Sequence, residues 1–179
     1  MGCTIVSIMI FSVLRLAEVM RSSALQGDDG SWQLFTSTWK GADDDVEITF
    51  RKAKNQYTSP AFWITQWSEL NKERIRSKNL WLLSKTNKRA TEEQGSKAVH
   101  EVMKLAGIGA QYTVTSIRSS SIIKQIAIGA TKQQVNRFTR HKKGPATVAK
   151  FYDKNLNDGL RQKLSIFKRK KSLKQKVRS

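Results

Sequence analysis

Residues 112–141 read YTVTSIRSSSIIKQIAIGATKQQVNRFTRH, and this segment is the most informative about the fold. Its first half carries isoleucines at helical spacing: Ile117, Ile122, Ile123 and Ile126. Ser116 is a suitable N-cap for this helix, and Gly129 is typical of a helix end. Thr131, followed three residues later by Gln134, is a capping-box pattern that begins a second helix. The stretch therefore predicts two consecutive helices separated by a glycine turn.

An apolar run near the N-terminus predicts another buried element. Residues 4–21 read TIVSIMIFSVLRLAEVMR, which predicts one largely buried helix. Arg15 and Glu18 are three positions apart in it and would share a face. A buried guanidinium is costly unless it is paired or has a task, so this pair marks a candidate functional site.

Short extended runs follow, and they predict a small antiparallel sheet over residues 32–39, 46–52 and 57–65. The second run begins VEITF, which alternates as a half-buried strand does. Pro60 predicts that the third strand lies at an edge or begins irregularly. Helical spacing returns from about residue 62, and Thr91 with Gln94 forms another capping-box pattern before a helix that Gly107 would end. The expected fold class is α+β, mostly helical.

The charge of the chain predicts a polyanionic partner. Its 179 residues carry 33 Lys and Arg against 14 acids, a formal net charge of +19, and 30 of those bases lie in residues 48–179. Phosphates bind such surfaces by releasing their counterions. Residues 161–179 hold nine bases and no acid, which predicts a basic tail after a globular domain of residues 1–160. From charge alone, a basic ribosomal-type or other RNA-binding protein is the favoured interpretation.

The cysteine and histidine content makes two kinds of site improbable. One cysteine, Cys3, allows no internal disulfide and fits a reducing compartment. With two histidines beside it, a zinc site built by the protein is not expected, and no other metal or cofactor is predicted. The apolar residues 3–14 are too few to span a membrane, so the chain is expected not to be a membrane protein.

Three pieces of the sequence together resemble the tyrosine recombinase (phage integrase) family. The first is VLRLAEVM around Arg15, where that family has Leu-Arg-x-x-Glu. The second is residues 115–141, where Thr-Ser-Ile-Arg stands for His-x-Leu-Arg, Gly129 stands at the turn, and Arg-His stands for Gly-His. The third is TVAKFY, which ends at Tyr152. Ala-Gly-Ile at residues 106–108 also matches. The resemblance covers nearly the whole chain.

The resemblance implies a catalytic role for five side chains. Tyr152 matches the nucleophile that forms a 3′-phosphotyrosyl link to DNA. Arg15 and Arg118 match the arginines that clamp the negative pentavalent transition state with forked hydrogen bonds. His141 matches a residue that hydrogen-bonds the scissile phosphate. A β-hairpin lysine normally protonates the leaving 5′-oxygen, and we assign this role to Lys54.

Other residues are expected to support these five. Lys52 is the second choice for the hairpin lysine, and Glu18 matches a partner that orients the site. Thr115 replaces the usual histidine, and its hydroxyl can hydrogen-bond a phosphate but cannot shuttle a proton at neutral pH. The basic side chains expected to contact DNA are Arg51, Lys52, Arg140, Lys142 and Lys143.

Each assignment has a simpler alternative. Arg15 could pair with Glu18 at a helix surface, Arg118 could make an ordinary phosphate contact, and His141 could be one of several DNA-facing charges. Tyr152 could be a packed aromatic residue, and Lys54 could lie on a solvated strand. The whole chain could then be a non-catalytic DNA-binding remnant of a recombinase. A type IB topoisomerase, which shares the chemistry, is the nearest enzymatic alternative.

The resemblance also carries expectations about partners. The family acts on double-stranded DNA, often as a tetramer that exchanges C-terminal segments, and the apolar residues after Tyr152 have helical spacing for such an exchange. A helical domain usually precedes the catalytic one, and the chain begins almost at the first arginine. Weak, salt-dependent DNA binding is therefore expected. The location would be intracellular, nuclear in a eukaryote and otherwise cytoplasmic, with a mobile genetic element as the host.

Overall fold

A computed structural model describes residues 1–37 and 45–139, and these form a mostly helical α+β fold. The helices are α1 (Gly2–Ser12), α2 (Leu16–Arg21), α3 (Pro60–Glu69), α4 (Glu73–Arg76), α5 (Glu92–Leu105), α6 (Val114–Ala127) and α7 (Lys132–Thr139), with a single 3-10 turn at Gln56–Thr58. The strands are β1 (Ser23–Gln26), β2 (Trp32–Ser37) and β3 (Asp45–Phe50). They pair antiparallel in the order β1-β2-β3, which confirms the predicted fold class.

The chain forms two compact units, residues 1–125 and residues 126–179. In the first, α1 supplies much of the core through Ile5, Ile8 and Met9, which are at most 1% exposed. Two glycines let helices approach closely. A Cβ at Gly2 would overlap the Ala98 carbonyl oxygen of α5, and one at Gly95 would meet the sulfur of Met20 in α2 at 2.6 Å.

The predicted single helix over residues 4–21 is wrong, because the chain breaks between α1 and α2. Val13 has a left-handed backbone with φ 50°, which is unfavourable for a β-branched residue. The Ser12 hydroxyl donates to the Ile8 carbonyl at 2.6 Å and accepts from the Leu14 N–H at 3.2 Å. Val13 and Leu14 are each 1% exposed, so burial of the two side chains holds the break in place. Arg15 consequently lies at the start of α2, not inside a longer helix.

The observed sheet has an additional strand before the two predicted alternating runs and lacks the strand predicted after them. Strands β2 and β3 confirm the two alternating runs, with Trp32 paired to Phe50 and Ser37 to Asp45. Strand β1 was not predicted. The strand predicted over residues 57–65 is wrong, since that segment contains the 3-10 turn and the first part of α3. Pro60 takes the first turn of α3, where its missing N–H has no intrahelical partner to lose.

The helix-end motifs of the sequence appear in the later helices. Thr91 and Gln94 exchange hydrogen bonds of 2.9 and 3.2 Å at the start of α5, as predicted. The predicted Ser116 cap is wrong: α6 begins at Val114, and the Ser116 hydroxyl reaches back to accept the Thr113 N–H at 3.2 Å. It is therefore a residue of the first turn.

In the second unit, the described part is the turn after α6 and helix α7. Gly129 has φ +95°, so a side chain there would be strained. Thr131 and Gln134 form the predicted capping box, with hydrogen bonds of 2.8 and 3.2 Å. Val135 is fully buried and Phe138, three residues later, is half-buried, so both lie on the apolar face of α7.

A buried arginine that the sequence did not single out closes the core beside α3 and α4. Arg74 is 2% exposed and lies over the Trp67 ring, 3.7 Å from its centroid. Its Nε donates to the Leu82 carbonyl at 2.7 Å, Nη2 donates to the Ser84 hydroxyl at 3.1 Å, and Nη1 donates to the Trp67 carbonyl. Burial lowers the pKa of this guanidinium from its usual value.

Candidate active site

Arg15 is the N-cap of α2, and the Glu18 carboxylate accepts hydrogen bonds from both its backbone and its side chain. The Arg15 backbone N–H donates to Glu18 Oε2 at 2.7 Å, and Arg15 Nη1 donates to Oε1 at 2.9 Å. The Glu18 side chain is only 4% exposed, whereas the Arg15 side chain is 49% exposed. Within residues 1–37 and 45–139, Nε and Nη2 of Arg15 make no hydrogen bond. The guanidinium is therefore oriented by one buried carboxylate while most of its N–H donors face outward.

Strand β2 and a buried tryptophan anchor the helix that carries this pair. The Thr36 hydroxyl donates to the Glu18 carbonyl at 2.6 Å, and Trp81 Nε1 donates to the Val19 carbonyl at 2.6 Å. Arg21 Nη2 donates to the Ser37 carbonyl at 3.3 Å. Thr36 and Ser37 are the last residues of β2. Helix α2 thus lies against the end of the sheet where β2 leads into β3.

Arg118 is the second predicted arginine, and it is 7% exposed on α6. Val114 and Ile117 of the same helix pack against the core of the first unit. One turn after Arg118, the Ser121 hydroxyl donates to the Ile10 carbonyl near the end of α1. This bond ties the Arg118 helix to the segment that leads into Arg15. Thr115, one turn before Arg118, is exposed.

The structure corrects the placement of the lysines, because Lys54 and Lys52 do not lie on a β-hairpin. Both follow β3, at the end of the sheet where Phe50 pairs with Trp32. The β2–β3 hairpin turns at the opposite end, one six-residue strand or about 17 Å away. The lysine that the sequence places between β2 and β3 is Lys40, in residues 38–44, outside the described residues. The alternation of β3 was visible in the sequence, but the hairpin was assigned to the wrong end of the strand.

Two more predicted DNA contacts lie at that far end of the sheet. Arg51 and Lys52 are exposed, and Lys52 lies along the β1–β2 turn, where a Cβ on Gly30 would come within 3.0 Å of its ammonium group. No salt bridge in the described part of the chain involves either residue. The remaining predicted site residues lie outside the described residues: Arg140, His141, Lys142, Lys143 and Tyr152, together with the basic tail at 161–179.

The described residues offer neither a metal-binding cluster nor a membrane-spanning helix. No group of three or more His, Cys, Asp or Glu side chains in residues 1–37 and 45–139 is arranged to hold a metal ion. Over the same residues, no helix has the length and apolar character needed to cross a membrane.

Comparisons with known proteins agree with the geometry. No protein-family model matches the sequence, and no curated protein matches it either. Among solved structures, the XerH site-specific recombinase bound to palindromic difH substrate in a post-cleavage complex matches with a TM-score of 0.64. The identity is 14%, and the match covers 92% of this chain and 45% of that one. The fold is therefore that of the matching part of a site-specific recombinase.

A second XerH structure, the pre-cleavage complex with difH substrate, matches this recombinase fold with a TM-score of 0.59 and 16% identity. The match covers 92% of this chain and 44% of the XerH chain, so this protein spans less than half of the recombinase it resembles. At such identities the likeness establishes the recombinase fold. Arg15 of α2 and Arg118 of α6 lie in the same compact unit of this chain.

Proposed function

We propose that this protein cleaves and rejoins DNA as a site-specific recombinase of a mobile genetic element, through a 3′-phosphotyrosyl link to Tyr152. The observation that carries the proposal is Arg15. On a recombinase fold, a half-exposed guanidinium is oriented by the buried Glu18 carboxylate and keeps its Nε and Nη2 donors open in the described structure. A fixed, open guanidinium suits a phosphate better than it suits a surface ion pair.

The proposed reaction exchanges one phosphoester for another. The Tyr152 oxygen attacks phosphorus and loses its proton, the bond between phosphorus and the 5′-oxygen breaks, and that oxygen leaves as a hydroxyl after gaining a proton. Rejoining reverses the step and needs no ATP. Arg15 and Arg118 stabilise the negative transition state, since preorganised donors act where charge develops. His141 hydrogen-bonds the scissile phosphate, and Glu18 holds the Arg15 guanidinium in a fixed orientation.

The proton donor for the leaving oxygen is Lys40 or Lys54. The family resemblance puts this lysine on a hairpin, and Lys40 is the one between β2 and β3. Helix α2 contacts the same end of the sheet through Thr36, which favours Lys40. Lys54 lies beyond the opposite end of β3.

The proposal is tested by trapping the covalent intermediate. The full chain is incubated with nicked duplexes whose cleaved end diffuses away, then boiled in detergent and separated by size. We expect a protein–DNA adduct that Tyr152→Phe abolishes, while the matched variant Tyr112→Phe keeps it. Duplex binding by every variant, measured in parallel, shows that the protein is intact. Duplex binding with no adduct on any substrate would overturn the cleavage proposal.

The two lysines are distinguished by a substrate with sulfur in place of the bridging 5′-oxygen. A thiolate leaves without a proton, so this substrate removes the need for a general acid. The variant that lacks the proton donor should cleave normal DNA slowly and the sulfur substrate at the wild-type rate. We expect this rescue for Lys40→Ala and not for Lys54→Ala. The reverse pattern would restore Lys54 to the site.

A non-catalytic DNA-binding relative is the second candidate function, and Thr115 favours it. The exposed threonine hydroxyl cannot carry the charge of the histidine that the family usually has there. Salt-dependent duplex binding without any adduct is the result expected from such a protein. A type IB topoisomerase-like enzyme would instead form the adduct and relax supercoiled DNA without joining two duplexes. Double-stranded DNA is the proposed partner in each case, and a homotetramer on DNA is proposed for recombination.

A further inference from the structure

We infer that the end of the sheet away from the β2–β3 hairpin is a binding site for single-stranded nucleic acid, with Tyr57 as its stacking ring. The site consists of the segment after β3, residues 51–58, together with the β1–β2 turn and the start of α3. We call it the far-end site. It shares no residue with the Arg15–Glu18 pair or with α6, and Lys54, the less favoured of the two candidate proton donors, is the residue that it has in common with the cleavage proposal. Binding of a single strand at Tyr57 would be a second function.

The first observation is an exposed aromatic ring held on a fixed backbone. Tyr57 is 67% exposed, although a tyrosine ring normally gains by burial. Its backbone N–H donates to the Asn55 side-chain oxygen at 3.1 Å, and its carbonyl accepts from Trp63 Nε1 at 2.8 Å. The ring also meets Phe62 edge-to-face, with centroids 5.8 Å apart. The fold thus presents this ring to solvent in a defined position, which reduces the entropy lost when a base stacks on it.

The second observation is basic charge in the segment that leads into the ring. Arg51, Lys52 and Lys54 are exposed, and the segment from 51 to 58 contains no acid. In the facing turn, the pKa of the Asp29 carboxyl is lowered by hydrogen bonds from the Ser31 side chain and from its N–H, the latter at 2.9 Å, and by the positive charge of Arg51. The described residues show no salt bridge within 4 Å between this turn and the three bases. The ammonium groups of Lys52 and Lys54 therefore remain available for phosphates, and Arg51 adds to the positive charge near Asp29.

The third observation is a cavity beside the same segment. It has a volume of about 430 Å³, and its lining includes Lys52, Lys54, Gln56 and Phe62, the ring that Tyr57 meets edge-to-face. Amide, ammonium and aromatic groups in one lining suit a base with its phosphate. An exposed ring beside basic side chains is an arrangement by which proteins bind single strands, since every base has a face that can stack. A duplex keeps its bases paired and stacked, so the ring discriminates against it.

The test measures binding of the full chain to labelled 20-nucleotide dT and rU strands and to a 20-base-pair duplex. We expect Tyr57→Ala to weaken binding of both single strands about tenfold, the value of one lost stack of about 1.4 kcal/mol. Tyr57→Phe should keep the affinity. Tyr112→Ala is the matched control, because Tyr112 is also exposed, at 50%, but lies before α6. Lys54→Ala should lower the salt dependence of single-strand binding by about 0.7 in log–log slope, one lost phosphate contact.

A fluorescent base analogue distinguishes stacking on the Tyr57 ring from phosphate binding by the basic tail. A 2-aminopurine within the strand loses fluorescence when its base stacks on a ring. We expect quenching with the wild type and Tyr57→Phe, and none with Tyr57→Ala. The inference would be overturned if Tyr57→Ala and Tyr112→Ala bound the single strands and quenched the analogue equally. It would also be overturned if Tyr57→Ala weakened duplex binding as much as single-strand binding. A missing covalent adduct with intact Tyr57-dependent quenching would count only against the cleavage proposal.

Discussion

Arg74 and Arg15 are both arginines beside a core, and their surroundings differ in kind. Arg74 is 2% exposed, lies over a tryptophan ring and donates to two carbonyls and a hydroxyl. Arg15 has a 49% exposed side chain and donates from one nitrogen of its side chain to one carboxylate. The Arg74 guanidinium is enclosed by the fold, whereas the Arg15 guanidinium is held at the surface.

A structural arginine and a functional one differ in where their N–H donors find partners. An arginine that stabilises the fold has its donors saturated inside the protein, because a buried N–H without a partner is costly. An arginine that binds a phosphate needs the same orientation with its donors open. Glu18 supplies that orientation from a buried position, and it leaves the outer edge of Arg15 free in the described structure. Arg74 should therefore control stability, and Arg15 should control DNA chemistry.

The largest expected effect is on stability, at Arg74. Arg74→Leu removes the donors of the Trp67 and Leu82 carbonyls and the ring contact, so we expect the free energy of unfolding to fall by about 3 to 5 kcal/mol. Urea unfolding followed by tryptophan fluorescence measures it. Arg76→Leu is the control on the same helix. Its exposed pair with Glu73 should contribute less than about 1 kcal/mol. Equal losses in the two variants would remove the distinction.

The next effect is on catalysis, at Arg15. Lysine can pair with Glu18 but cannot form the forked contact to a phosphate, so Arg15→Lys should slow adduct formation about 100-fold. The free energy of unfolding should change by less than about 1 kcal/mol, because the side chain is half exposed. Single-turnover adduct assays and urea unfolding measure the two quantities. A variant that unfolds easily but cleaves at the wild-type rate would mean that Arg15 is structural.

The smallest effect tests how Glu18 is anchored. Thr36→Val keeps the side-chain shape and deletes the buried 2.6 Å bond to the Glu18 carbonyl. We expect a loss of about 1 to 2 kcal/mol in unfolding free energy, together with a small drop in adduct rate. Thr49→Val, on the exposed side of β3, is the control and should be nearly neutral. A Thr36→Val protein as stable as that control would show that strand β2 does not hold α2.

Local motifs were predictable where short-range chemistry decides the structure. The capping boxes at Thr91 and Thr131 and the left-handed turn at Gly129 appear as expected, since each depends on residues within one turn of helix. The alternation of VEITF identified β3 for the same reason. The segment over residues 57–65 was misjudged as a strand, because a short apolar run has no period that separates strand from helix.

Features that depend on distant residues were missed. Strand β1 is held by pairing with β2, and the role of Arg74 depends on Trp67, Leu82 and Ser84. Neither the pairing of β1 with β2 nor the contacts of Arg74 can be recognised from a short sequence motif. For the candidate site, Arg15 and Glu18 were named correctly as a pair, but their position at a helix start was not foreseen. The catalytic roles of Arg15 and of the other site residues stay predictions.

The sequence by itself determined the mostly helical α+β class, the basic character and the ordered motifs that resemble a recombinase, because each is written in residue types and short spacings. Only the tertiary structure decided that the chain breaks at Val13 and that Lys54 lies at the opposite end of the sheet from the hairpin. A positive φ at a buried valine is locally unfavourable, so packing must impose it. The end of a strand at which a residue lies is set by which strands pair, and that choice is made between segments far apart in the chain.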